Sequence, residues 1–342
     1  MAESDPLLDG KMEIPLPMFT AAIPSARGRN PQAIAHRGYK AAYPENTMGA
    51  FKGAVDVGAH AIETDIHLSK DGVVVLSHDA TLKRCFGEDK KIVDCDWSYL
   101  KTLRTLQKPH EPMPRLKDLL EYLAEPGLED VWVLLDIKVP WPSLAEPLKN
   151  DRINRWAKLD NHAEDVFRLM AATLADTKPS RPWKQRILLG CWAAKHLPLC
   201  TKYLPGYSIT HIGFSITYAR QFLKVPGAGF NMLQKIMVGP FGNAFLRDVK
   251  TAKRSIFVWT VNEEDWMKWS IRKEVDGVIT DDPKKFLEVC DTYQGEEIHL
   301  SFAAWPALVW MNALAVLFSV LFRYRYGFKI PAVPPAKTIL GR

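Results

Sequence analysis

Between Ala35 and Asp79 two histidine-bearing strings flank a carboxylate pair. The first is His36-Arg37-Gly38, followed by Pro44-Glu45-Asn46-Thr47; the second is Ser77-His78-Asp79; Glu63-Thr64-Asp65 lies between them. Two histidines, one arginine and two carboxylates are the groups that metal-assisted cleavage of a phosphate ester requires. A divalent cation takes hard oxygen ligands. The phosphoryl charge is matched by a planar donor fork, and each proton transfer needs a group that titrates near neutrality.

Those residues need a frame that aims them at one point. Ala61 to Leu68 alternates Ile62, Thr64, Ile66 and Leu68 with Glu63, Asp65 and His67, the period of a strand. Glu63 and Asp65 then leave the same face, about 6.5 to 7 Å apart at Cα, and both side chains can converge on one cation. A solvated acidic face on an outer strand has the same spacing; the two histidine strings beside it favour the cation. Seven more strand-like runs are expected near Ala33–Arg37, Trp132–Lys138, Arg186–Trp192, Ser208–Phe214, Met232–Ile236, Ile256–Val261 and Gly277–Thr280. Amphipathic stretches lie among them, including Asn46–Val57, Leu116–Leu123 and Ala163–Leu174. Eight alternating units predict an α/β fold of the TIM (β/α)8 barrel type, whose site is built at the carboxyl ends of the strands. The histidine, carboxylate, Asp136-Ile137-Lys138 and Trp259 to Asn262 strings all fall at or near such ends.

These strings, with the Lys70-Asp71-Gly72 turn, Asp136-Ile137-Lys138, Trp259-Thr260-Val261-Asn262 and Ile279-Thr280-Asp281, together resemble the glycerophosphodiester phosphodiesterase family. The likeness runs from about Pro31 to Glu288. It implies a phosphoric diester hydrolase in which Glu63, Asp65 and Asp136 hold Mg²⁺ or Ca²⁺. It further implies that Arg37 and Lys138 share the phosphoryl charge and that His36 and His78 carry protons. Glu45, Asn46, Trp259 and Asn262 would contact substrate. In most of this family the third ligand is a glutamate, and here it is Asp136, shorter by one bond of about 1.5 Å. The cation would sit nearer this strand, or a water would bridge. An Asp-Ile-Lys string also marks the fungal phosphatidylglycerol phospholipase C branch, which implies cleavage of phosphatidylglycerol to diacylglycerol and glycerol phosphate. Two alternatives stand beside it: a phosphodiesterase for soluble glycerophosphodiesters or lysophospholipids, and a membrane-tethered barrel acting only as a lipid-binding scaffold. The intact histidines and carboxylates speak against the scaffold.

A chain of 342 residues has room for one such barrel, at residues 31–290, plus extensions. The net charge of +6 suits an anionic partner. Without a long basic run, a zinc pattern or an RNA-binding aromatic signature, the expected partner is a lipid surface and not nucleic acid; no protein partner is indicated. Five cysteines without a Cys-X-X-Cys spacing argue against a disulfide framework and a zinc site. With no signal-peptide core near the start, they point to a reducing compartment. Residues 1–30, rich in Pro, Ser and Gly, read as a flexible leader.

From Phe302 to Phe322 no residue is charged. As a helix this segment would measure about 31 Å, the thickness of a hydrocarbon core. Arg323, Tyr324, Arg325, Tyr326 and Lys329 open a basic, aromatic tail at residues 323–342, suited to anionic headgroups. The expectation is a C-terminal hydrophobic, membrane-associated helix, with the catalytic domain facing the cytosol at the endoplasmic reticulum, a lipid droplet or the mitochondrial surface. A spanning tail would carry its arginines to the far side, against the positive-inside tendency. A monotopic wedge broken at Pro306 would keep both ends cytosolic, and a helix docked on the barrel is the third arrangement.

Overall fold

The strands of a barrel are covered on both faces, by the lumen inside and by helices outside, and so carry few exposed positions. The computed structural model describes residues 14–25, 28–137 and 161–297, together with 308, 310, 312–317 and 320. Its strands are β1 (Ile23–Ser25), β2 (Gly28–Asn30), β3 (Gln32–His36), β4 (Ala61–Leu68), β5 (Val74–Leu76), β6 (Trp132–Ile137), β7 (Ile187–Cys191), β8 (Ser208–Gly213), β9 (Gly229–Leu233), β10 (Ile256–Trp259) and β11 (Gly277–Thr280). The order β3-β11-β10-β9-β8-β7-β6-β4, closed by the pairing of β3 with β4, makes an eight-stranded parallel barrel. β5 adds antiparallel to the overhanging end of β4.

The lumen holds Ile34, Ala61, Trp132, Leu134, Leu188, Ile212, Phe257 and Ile279, all buried. The strand period of two then dictates what stands above this plug. Two residues on from Ile34 is His36; from Ala61, Glu63 and then Asp65; from Leu134, Asp136; from Phe257, Trp259; from Ile279, Asp281. The same alternation that fills the barrel thus aims the polar groups up its carboxyl end. The other strand faces pack under helices such as Met48–Asp56, whose first turn Thr47 caps by accepting from the Ala50 N–H at 3.2 Å. Such a cap stabilises by about 1 kcal/mol. Gly38, at φ +82°, permits the approach of this helix, because a Cβ there would sit 2.7 Å from the Ala50 carbonyl carbon.

Several expected boundaries move. The sixth barrel strand is Gly229–Leu233, whereas the expectation was Met232–Ile236; residues Gln234–Met237 form a 3₁₀ turn. The apolar run continues through Ile236 and Met237 because both are buried in that turn, so hydrophobicity did not mark the strand's end. The leader at residues 1–30 is corrected from residue 14 onward. Thr20 is fully buried, Phe19 meets the Trp132 ring edge-on at 5.6 Å, and Gln32 Nε2 donates to the carbonyls of Phe19 and Ala21. This segment stoppers the amino end of the barrel. In the tail, Leu308, Trp310, 312–317 and Val320 are helical, and no helix of the described residues is long and apolar enough to cross a membrane. The tail at residues 323–342 lies outside the described residues.

Candidate active site

Glu63, Asp65 and Asp136 are buried at 5%, 1% and 4% exposure, which removes the solvated-strand alternative. Asp65 and Asp136 are register partners on adjacent strands, and one carboxylate oxygen from each of the three lies within 4.8 Å of the others. The shorter Asp136 therefore still reaches the cluster. Three buried carboxylates facing one another repel, and a hard divalent cation is the group that relieves them, so the donor set fits Mg²⁺ or Ca²⁺. Around the cluster the supports are specific. Asn46 Nδ2 donates to Asp65 at 2.9 Å while its Oδ1 accepts from Thr64 Oγ1 at 2.7 Å. Trp192 Nε1 donates to Asp136 at 2.8 Å and sets its ring 5.7 Å from Trp259, which donates to the Asn231 carbonyl.

Arg37 takes a positive φ of 59° directly after β3. Its N–H donates to the Glu63 carbonyl at 2.8 Å, and its guanidinium spans Glu45 at 2.9 Å and Asp65 at 3.5 Å. Both Glu45 oxygens accept from arginines, Oε1 from Arg37 and Arg84 and Oε2 from Arg84. Burial would raise the Glu45 carboxyl, but Arg84 and Arg37 hold it below its ordinary value. Glu45 is thereby a strut between the two histidine strings.

Each histidine is backed by a carboxylate. His36 Nδ1 lies 2.6 Å from Asp281, and Asp281 is fixed by Asn262 Nδ2 at 2.9 Å and Lys40 at 3.4 Å. Burial pushes the His36 imidazole down, with Asp281 pulling it back. Burial alone would raise the Asp281 carboxyl; the His36 hydrogen bond and Lys40 overcome this and hold it at about 2. His78 Nδ1 lies 2.7 Å from Asp79, which accepts from Arg84 Nε at 2.6 Å. The hydrogen bond from His78, then Arg84, holds the Asp79 carboxyl far below its ordinary value.

The ten described residues among those expected from sequence are His36, Arg37, Glu45, Asn46, Glu63, Asp65, His78, Asp136, Trp259 and Asn262, and all stand at one end of the barrel. Lys138 lies outside the described residues. Asn262 enters through Asp281, its Oδ1 accepting from the Asp281 N–H at 2.9 Å. Asp281, Asp79, Arg84, Lys40 and Trp192 are site residues beyond those expected from sequence. Asp79 and Asp281 were in view, each the last residue of a recognised string; Arg84, Lys40 and Trp192 carried no pattern.

A closed parallel barrel with buried carboxylates and two carboxylate-backed histidines at its carboxyl end defines an α/β-barrel phosphoric diester hydrolase. Residues 36–285 match the profile of the glycerophosphoryl diester phosphodiesterase family, and the chain belongs to that family. The reading as a catalytically silent scaffold falls with this. A glycerophosphodiester phosphodiesterase of Caldanaerobacter subterraneus is 28% identical over 75% of this chain and 96% of its own length. A rat lysophospholipase D is 28% identical over 75% of this chain and 84% of its own. Among solved structures, the Thermotoga maritima glycerophosphodiester phosphodiesterase superposes with a TM-score of 0.55 at 27% identity, over 75% of this chain and 98% of that one. An Oleispira antarctica phosphodiesterase shares the fold, with a TM-score of 0.63 at 23% identity over 77% of this chain and 98% of that one.

Proposed function

We propose that this hydrolase cleaves phosphatidylglycerol between phosphate and diacylglycerol. The observation that carries a phosphodiesterase reading is the convergence of the Glu63-Asp65-Asp136 cluster with two histidines, each held by its own carboxylate. Phosphatidylglycerol suits such a site because its free glycerol headgroup is itself a glycerophospho unit. The Asp136-Ile137-Lys138 string and the uncharged 302–322 segment favour a lipid over a soluble diester.

Glu63, Asp65 and Asp136 would hold a divalent cation, which supplies polarisation of a phosphoryl oxygen. Arg37, kept in place by Glu45, matches the phosphoryl charge, with Lys138 as its proposed partner. Water attacks phosphorus and the bond from phosphorus to the diacylglycerol oxygen breaks. One histidine takes the nucleophile's proton and the other protonates the leaving oxygen, so that water and phosphatidylglycerol give diacylglycerol and glycerol phosphate. Asp281 and Asp79 orient the two rings, as the carboxylate of a hydrolytic triad does. Trp259 would pack against the substrate, and Asn46 and Asn262 would hold the groups that touch it.

The second reading, cleavage of soluble glycerophosphodiesters or lysophospholipids, is favoured by the names of the bacterial and rat relatives. Incubating the purified protein with phosphatidylglycerol, lysophospholipids and glycerophosphodiesters, with initial rates compared in one cation buffer, decides between them. The proposal expects phosphatidylglycerol to be turned over fastest; a soluble diester turned over at least tenfold faster sinks it. We further place the protein on cytosol-facing membranes, through residues 302–322.

A further inference from the structure

The described part of the C-terminal helix presents two faces of the wrong kind for a free surface helix. Leu308 is buried at 4% exposure, Ala315 packs on the core, and Asn312 Nδ2 reaches the Lys235 carbonyl at 3.4 Å, so one face is held against the barrel. Away from this contact stand Trp310 at 67% and Leu317 at 55% exposure, with Val316 at 64% and Val320 at 58% on the flank, where a water-facing helix carries polar residues. Beside it stands Phe241 at 82%, the most exposed large apolar residue among those described and part of the barrel itself. Between helix and barrel runs a cleft of about 420 Å³, lined by Phe214, Ile216, Ile236, Phe241, Val316 and Val320 among others. The barrel residues follow the carboxyl ends of β8 and β9, which places the patch on the same rim of the barrel as His36 and the carboxylate cluster.

We propose that this surface docks the catalytic domain on an anionic lipid bilayer, with the helix lying in the plane of the interface and Phe241 inserted beside it. The inference rests on the lipid-acting reading above and adds to it the orientation and a contact outside the tail. Three observations select a bilayer as the occupant. The helical part of the patch belongs to a run of 21 uncharged residues followed by Arg323, Tyr324, Arg325, Tyr326 and Lys329, whose charge complements acidic headgroups. One face of the helix is already taken by the barrel, which suits lying on a membrane better than crossing it. The patch shares the rim of the active site, so a docked domain meets its substrate without withdrawing the lipid far from the bilayer.

The test uses full-length protein and vesicles of phosphatidylglycerol and phosphatidylcholine. Phe241→Glu and Trp310→Glu should each lower the fraction that floats with vesicles by about tenfold in partition coefficient, the effect of losing one buried aromatic side chain. Both should leave turnover of a short-chain, detergent-dispersed phosphatidylglycerol unchanged, which shows that fold and site survive. Flotation insensitive to Phe241→Glu overturns the docking surface, as does a concentration-dependent dimer that Phe241→Glu dissolves, which would make the patch an interface between copies. A wild-type protein that cleaves dispersed phosphatidylglycerol yet never floats overturns the docking and leaves the enzymatic reading standing. One that floats, with Phe241→Glu released, but spares phosphatidylglycerol supports the docking and sinks the substrate.

Discussion

Asp136→Asn separates the cost of the carboxylate cluster from its use. With oxygens within 4.8 Å, each pair of carboxylates repels by about 3.5 kcal/mol at an effective dielectric of about 20. Asp136 has two such neighbours, about 7 kcal/mol before screening; Arg37 beside Asp65 and local relaxation reduce this, and about 1 to 3 kcal/mol is expected in the cation-free protein. Asn keeps the volume and an oxygen to accept from Trp192 Nε1. In EDTA, therefore, the variant should be the more stable protein, with Tm higher by about 2 to 12 °C at about 2 to 4 °C per kcal/mol. With Mg²⁺ or Ca²⁺ added this advantage should shrink. Loss of an anionic ligand weakens cation affinity by about tenfold or more, so the cation's stabilisation shrinks by about 1.4 kcal/mol or more, and the cation-induced rise in Tm with it. Thermal unfolding across a cation titration reads both effects. A variant less stable than wild type in EDTA, with an undiminished response to the cation, would refute the reasoning: the three carboxylates would then be a structural network and not a cation site.

His36→Ala and His78→Ala should each lower turnover by about 10² to 10⁴ with the fold intact by circular dichroism; a variant that keeps half its rate removes that histidine from proton transfer. Asp281, held at about 2 against an ordinary 3.8, contributes about 2 kcal/mol of stability. Its folded value is depressed, so the contribution is present above about pH 4 and lost as pH falls towards 2. Asp281→Asn should thus be destabilised by about this amount at pH 7 and converge with wild type near pH 2, as urea unfolding at the two pH values will show; equal stability at pH 7 would contradict the His36 pairing. Gly38→Ala, with positive φ and its new Cβ against Ala50, should cost about 3 kcal/mol or more. Denaturant unfolding checks this, and a loss under 1 kcal/mol would show that the helix can shift aside.

The barrel was legible because its strands carry a local signal. Ala61–Leu68, read from its alternation, and Gly277–Thr280 both match their expected bounds, and the polar members of the first strand's alternation are the site. What escaped depends on contacts between distant parts of the chain. Asp281 meets His36 across 245 positions. The burial of Thr20 and the packing of Phe19 depend on Gln32 and Trp132, which no property of residues 14–30 announces. Glu45 and Asn262 read as substrate contacts because they lie in recognised strings; that their side chains also engage Arg37 and Arg84 and Asp281 is visible only in the fold. Spacing identifies which residues belong to a site; which of them touch substrate and which hold a neighbour is decided in three dimensions.

Cation-dependent scission of the bond between phosphate and diacylglycerol is the central expectation for this hydrolase. It is tested most directly by mass spectrometry of the products from detergent-dispersed phosphatidylglycerol, with the protein first treated with EDTA and then given Mg²⁺ or Ca²⁺. Diacylglycerol and glycerol phosphate, formed only after the cation is restored, are the predicted result. Phosphatidic acid with free glycerol, or diacylglycerol formed at full rate in EDTA, would contradict it.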